Sequence, residues 1–115
     1  MKIDKSLMSG STTLLILKLL DSGDMYGYQM ISELERRSEN AFTLKAGTLY
    51  PILHNLEQQG MIESYEQAEG SARPRKYYRI TKQGKQLFTE QKAQWTTYTN
   101  IVNQVLGGAN CAIIQ

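Results

Sequence analysis

The segment Arg73-Pro-Arg-Lys-Tyr-Tyr-Arg-Ile-Thr-Lys-Gln-Gly-Lys85 carries six cations and no acid. Guanidinium and ammonium groups spaced along a strand and interleaved with tyrosine rings suit the binding of a phosphate backbone. The competing reading is a solvated face of like charge. Residues 1–60 hold six Lys or Arg against seven Asp or Glu, so the net charge of +2 averages a balanced body with one basic stretch. Other chemistries have little to work with. The chain has one histidine, His54, and one cysteine, Cys111. There is no metal-ligand spacing, no glycine-rich phosphate loop ending in lysine, and no serine on a strand-to-helix elbow. Glu33 and Glu35 point to different faces of a helix. The sequence therefore argues against an enzyme and implies no cofactor. It leaves a nucleic-acid binder, or a winged module used for protein contacts whose cations only solubilise.

The 115 residues amount to one domain with a thin core, so a long element with an uncovered apolar face needs a partner chain. A single cysteine excludes a disulfide framework and fits a reducing compartment. No run approaches the roughly 18 apolar residues of a membrane span, and Met1 to Asp4 does not lead into a signal-peptide pattern. The expectation is a cytoplasmic protein without membrane contact.

The elements that must position the basic stretch follow from periodicity. Lys5 to Asp21 reads as one helix, buried on most faces through Leu14-Leu-Ile-Leu-Lys-Leu-Leu20, with Ser22-Gly23-Asp24 as its stop and a candidate cap for the next helix. Tyr26 to Ser38 forms a second helix with Gly27, Ile31, Leu34 and Ser38 on one stripe. Lys45 to Gln59 forms a third around Leu49, Ile52, Leu53 and Leu56, closed by Gly60. Pro51 within it predicts a late start or a bend. The period then falls to two. Met61 to Gln67 and Lys76 to Thr81 make a hairpin whose descending arm is basic. Thr81 caps a last helix from Lys82 to about Leu106, and residues 107–115 form a tail. Three helices, a hairpin and a long helix predict a mainly α fold with a small β-hairpin: a winged helix-turn-helix over residues 1–81 and a dimerisation helix over 82–106.

Met25-Tyr-Gly-Tyr-Gln-Met-Ile31, Gly47-Thr-Leu-Tyr-Pro-Ile-Leu53, Leu56-Glu-Gln-Gln-Gly-Met-Ile62 and Arg75-Lys-Tyr-Tyr-Arg-Ile-Thr81 together resemble the PadR family of bacterial transcriptional regulators, from Leu7 to about Leu106. The short terminal helix with one tryptophan resembles the family's small multidrug-sensing subgroup. The resemblance implies a homodimer on an inverted-repeat operator in double-stranded DNA, usually a repressor, often released by a small molecule.

On their own chemistry, Thr48, Tyr50 and His54 of the third helix are candidates for phosphate or base-edge contact, with Lys45 at the helix start. Arg73, Arg75 and Lys76 are expected on phosphate from the wing, Arg73 reaching toward a minor groove. Tyr26 either bonds phosphate from the second helix's N-terminus or caps that helix. For Tyr50 a core aromatic is the alternative, and for His54 an exposed residue with no base contact.

In the last helix Phe88, Gln91, Trp95, Tyr98, Val102 and Val105 recur in steps of three and four, a seam that a second copy is expected to cover. Trp95 at that seam either packs or, with its symmetry mate, leaves a slot for a planar aromatic molecule. The resemblance implies further walls from Leu14, Leu17 and Lys18. Thr99 stands where the multidrug-sensing subgroup has an acid, which together with Lys18 predicts a slot suited to neutral or anionic compounds rather than cations.

Overall fold

The computed structural model describes residues 4–68, 70 and 73–107; Cys111 and the expected tail beyond Gly107 lie outside them. The elements are α1 (Lys5–Met8), α2 (Thr12–Ser22), β1 (Met25–Tyr26), α3 (Gly27–Arg37), α4 (Ala46–Gln58), β2 (Ile62–Gln67), β3 (Arg75–Ile80) and α5 (Lys82–Leu106). The fold is the expected winged helix with a long terminal helix, although four local expectations need correction.

The first helix is broken rather than continuous. At Ser9-Gly10-Ser11 the hydroxyls compete for the backbone: Ser9 Oγ donates to the Ser6 carbonyl and Ser11 Oγ to that of Met8. After the break α2 buries Ile16, Leu17, Leu19 and Leu20 and runs through the middle of the core. Gly23 does not end it with a left-handed turn, because its φ of 162° is extended and leads straight toward β1. Asp24 then caps nothing; it receives the Tyr65 hydroxyl instead.

The expected hairpin is a three-stranded antiparallel sheet in the order β1-β3-β2. Met25 pairs with Tyr78 and Tyr26 with Tyr77, while β2 runs against β3 from Ile62↔Ile80 to Gln67↔Arg75. A two-residue strand is too short to display a period of two, and its tyrosine looked like the start of the next helix. Strand alternation turns Met25, Ile62, Tyr78 and Ile80 into the core and leaves Tyr26, Tyr65, Tyr77, Arg75 and Arg79 on the outer face.

Helix α3 buries Met30 fully as well as the expected Leu34, and α4 buries Leu49, Leu53 and Leu56. Pro51 does not delay α4, which starts five residues earlier at Ala46 with the Leu49 amide donating to the Lys45 carbonyl. Between the two helices Glu39 and Asn40 adopt φ of 52° and 67°, a left-handed turn made without glycine. Thr81 caps α5 as expected, accepting from the Gly84 amide at 3.0 Å. Gly84 itself lies against the Met61 carbonyl, where no side chain fits. That close approach seats the first turn of α5 on the turn between α4 and β2, and Phe88 lies in the core.

Candidate nucleic-acid interface

Tyr26 closes β1 and is the residue from which α3 starts, so its ring stands at the helix N-terminus. The first amides of α3 have no intrahelical acceptor, and the helix dipole makes that end favourable to an anion. Tyr50, on the second turn of α4, lies directly over Gly27: a Cβ at Gly27 would stand 2.7 Å from Tyr50 Cζ and closer still to its hydroxyl. Arg75 and Lys76, the first residues of β3, approach from the wing. The Arg75 guanidinium lies 4.5 Å over the Tyr26 ring, and Lys76 Nζ 5.5 Å from the Tyr78 ring centroid. Together Tyr26, Gly27, Tyr28, Tyr50, Arg75, Lys76 and Tyr78 line a cleft of about 370 Å³. Burial pushes the Tyr78 phenol up from its ordinary value. Among the described residues no carboxylate pairs with Arg73, Arg75 or Lys76. The cleft thus combines two cations that form no ion pair among the described residues, phenolic hydroxyls and a helix N-terminus, a donor set for phosphate oxygens.

Four of the eight residues expected on DNA, Tyr26, Tyr50, Arg75 and Lys76, meet in this cleft. The other four do not line it. Lys45 is the exposed N-cap of α4, Thr48 and His54 are exposed along α4, and Arg73 is exposed just before β3. Tyr50 is 41% exposed, a ring half covered by α3 rather than a core aromatic. Two features escaped the sequence reading. Tyr28 lines the cleft and is largely exposed; its place one residue off the apolar stripe of α3 was the signal available. Arg79, counted within the basic run, pairs with Asp24 and Glu63 at 3.5 Å each, and Glu66 stands opposite Lys76 across the strands. The run without acids meets its acids on the neighbouring strand β2 and in the loop before β1.

A family model described as the transcriptional regulator PadR-like family matches residues 16–90. The chain belongs to the PadR-like family of transcriptional regulators. It is 32% identical over 106 residues to an uncharacterised protein of Lysinibacillus sphaericus, covering 92% of this chain and 97% of that one. It is similar to the solved structure of a transcriptional regulator from Clostridium thermocellum, with 30% identity, a TM-score of 0.81, and coverage of 89% of this chain and 96% of that one. It is also similar to a PadR family transcriptional regulator from Eggerthella lenta, with 33% identity, a TM-score of 0.77, and coverage of 90% and 88%. The PadR-like assignment makes the protein a winged-helix transcriptional regulator with a DNA-binding role.

The residues expected at a PadR dimer seam separate in the structure. Phe88 is buried in the chain's own core and needs no partner chain to cover it. Gln91 and Val102 are half-buried, whereas Trp95, Tyr98 and Val105 are 37%, 60% and 81% exposed. Ile101 and Leu106, unnamed in the sequence reading, extend that exposed apolar row. A groove of about 860 Å³ between α2, α4 and α5 is lined by Leu14, Ile52, Leu87, Gln91, Trp95 and Tyr98 among others, none of them charged. Of the expected ligand set, Leu14 and Trp95 line it. Leu17 is fully buried in the core, Lys18 is exposed but not at the groove, and Thr99 spends its hydroxyl on the Trp95 carbonyl at 3.0 Å.

Proposed function

We propose that the protein is a homodimeric repressor that binds an inverted-repeat operator, with residues 1–81 as the DNA-binding unit and α5 as the dimerisation element. The observation that carries the DNA-facing part is the convergence of Tyr26, Tyr50, Arg75 and Lys76 at the N-terminus of α3, where helix-turn-helix and wing meet. In this reading α4 lies in the major groove, Thr48 and His54 face base edges, and Lys45 and Arg73 extend the phosphate contacts on either side. Four cations per subunit would neutralise up to eight phosphates per dimer, for a slope of log affinity against log salt of about −7 at roughly −0.9 per phosphate. Dimerisation is supported by the apolar row Trp95, Tyr98, Ile101 and Val105, which one protomer leaves in water.

The test is Arg75→Ala combined with Lys76→Ala. Binding to every duplex should weaken and the salt slope flatten, whereas Thr48→Ala combined with His54→Ala should mainly erode preference for the operator. Unchanged binding by the wing double variant contradicts the phosphate reading.

A second reading, a planar effector held at Trp95, is supported by the groove and by Tyr98, whose ring lies 6.0 Å from that of Trp95. Since no charged side chain lines the groove, neutral planar compounds fit it better than cations or anions, a narrower expectation than Lys18 suggested. Trp95 is the sole tryptophan, so its fluorescence reports occupancy. Trp95→Ala should abolish the ligand response and retain operator binding; conversion to monomers would assign Trp95 to packing.

A further inference from the structure

On the outer face of the sheet, three tyrosines from three strands stand abreast, because the register places Tyr26 beside Tyr77 and Tyr77 beside Tyr65. Tyr65 and Tyr77 stack, with centroids 5.7 Å apart and planes 16° from parallel, while Tyr26 meets Tyr77 edge-on at 5.4 Å. An arginine covers each end of the row: Arg75 lies 4.5 Å over Tyr26 and Arg79 4.7 Å over Tyr65. The ends differ in charge. Arg75 has no carboxylate partner among the described residues. Arg79 is held between Asp24 and Glu63, and Asp24 also accepts the Tyr65 hydroxyl at 2.6 Å. Two carboxylates and one guanidinium sum to a negative site, which repels phosphate.

We propose that Asp24, Tyr65 and Arg79 are positioning residues: they anchor the tyrosine row to the loop before β1, the row holds Arg75 over Tyr26, and Arg79 itself does not touch DNA. The inference rests on reading the cleft as DNA-facing. Its physical basis is that a stacked row transmits orientation. Tyr65 fixed at one end by Asp24 limits the tilt of Tyr77, then of Tyr26, and so the platform on which the Arg75 guanidinium lies. The same hydrogen bond raises the Tyr65 phenol above its ordinary value.

The test compares Tyr65→Phe, Arg79→Gln and Arg75→Gln in the full chain. Two readouts are used: relaxation of the Arg75 Nε–Hε group in the free protein, and affinity for a duplex across salt. Arg75→Gln should reduce the salt slope by about one per subunit. Tyr65→Phe and Arg79→Gln should leave the slope intact, weaken binding about threefold to tenfold, and loosen the Arg75 side chain. Asp24→Leu, which keeps the side-chain size and removes both acceptor oxygens, should reproduce Tyr65→Phe. A slope reduced by Arg79→Gln as much as by Arg75→Gln would make Arg79 a phosphate contact and overturn the proposal. So would an Arg75 side chain equally ordered in wild type and Tyr65→Phe. If Arg75 loosens in Tyr65→Phe but Arg75→Gln leaves the slope unaltered, the row positions Arg75 and only the phosphate reading fails.

Discussion

Gly27 and Tyr50 join α3 to α4, and Gly27→Ala separates that contact from everything else. A Cβ at Gly27 would stand 2.7 Å from Tyr50 Cζ, and its three nearest neighbours all belong to the Tyr50 ring end. Ordinary carbon contacts lie at about 3.5–4.0 Å, so the ring must retreat by about 1 Å or leave the site. Overpacking of this kind costs about 1–3 kcal/mol. The alanine returns about 0.5–1 kcal/mol through its helix preference, so the net destabilisation is about 0–2.5 kcal/mol, centred near 1. For a domain of this size each kcal/mol lowers the melting temperature by about 4–8 °C. The decisive assay is a double-mutant cycle by denaturant unfolding at fixed protein concentration. In a Tyr50→Ala background the overlap has no partner, so Gly27→Ala should turn neutral or stabilising by about 0.5–1 kcal/mol. DNA affinity should follow the same cycle: Gly27→Ala weakens binding in the wild type and has no further effect once Tyr50 is gone. Equal destabilisation in both backgrounds would refute the coupling, and with it the claim that Gly27 is there for Tyr50.

Gly84→Ala places its Cβ against the Met61 carbonyl and 2.7 Å from Ile80 Cγ1, so the urea midpoint should fall by the equivalent of about 1–3 kcal/mol. Glu39→Gly relieves a left-handed residue at φ 52° and should raise stability by about 1 kcal/mol in thermal melts. Arg36 and Arg37 hold the Glu33 carboxyl down to about 2 from an ordinary 4.5. A depressed folded value means that this contribution is present above pH 4.5 and is lost as pH falls toward 2. Glu33→Gln should therefore flatten the acid limb of a pH-stability curve in that window and leave its neutral part with the same slope.

Much of the fold was legible because long elements write their period many times. The stripe Leu49, Leu53, Leu56 and the Thr81 cap of α5 are readable for that reason. What was illegible was short or made by contacts distant in sequence. β1 has two residues, and the break at Ser9 to Ser11 depends on hydroxyls choosing backbone carbonyls within an otherwise apolar helix. At the interface, residue type alone pointed to Tyr26, Tyr50, Arg75 and Lys76. Charge counting along the chain could not see that Arg79 would face Glu63 across a strand and Asp24 beyond it, because register decides that pairing. Leu17 and Phe88 show the converse: Phe88 fits an interface pattern by spacing and Leu17 a slot wall by resemblance, yet the chain's own core takes both.

The central claim is that the edge joining the α3 N-terminus, α4 and the wing is the surface that meets DNA. Amide hydrogen exchange of the protein with and without the duplex flanking its own coding region tests this most directly. Protection is predicted at Tyr26 to Tyr28, Lys45 to His54 and Arg73 to Lys76, with Tyr98 to Leu106 unchanged. Protection confined to α5 and the groove beside Trp95, with the cleft unaffected, would contradict it.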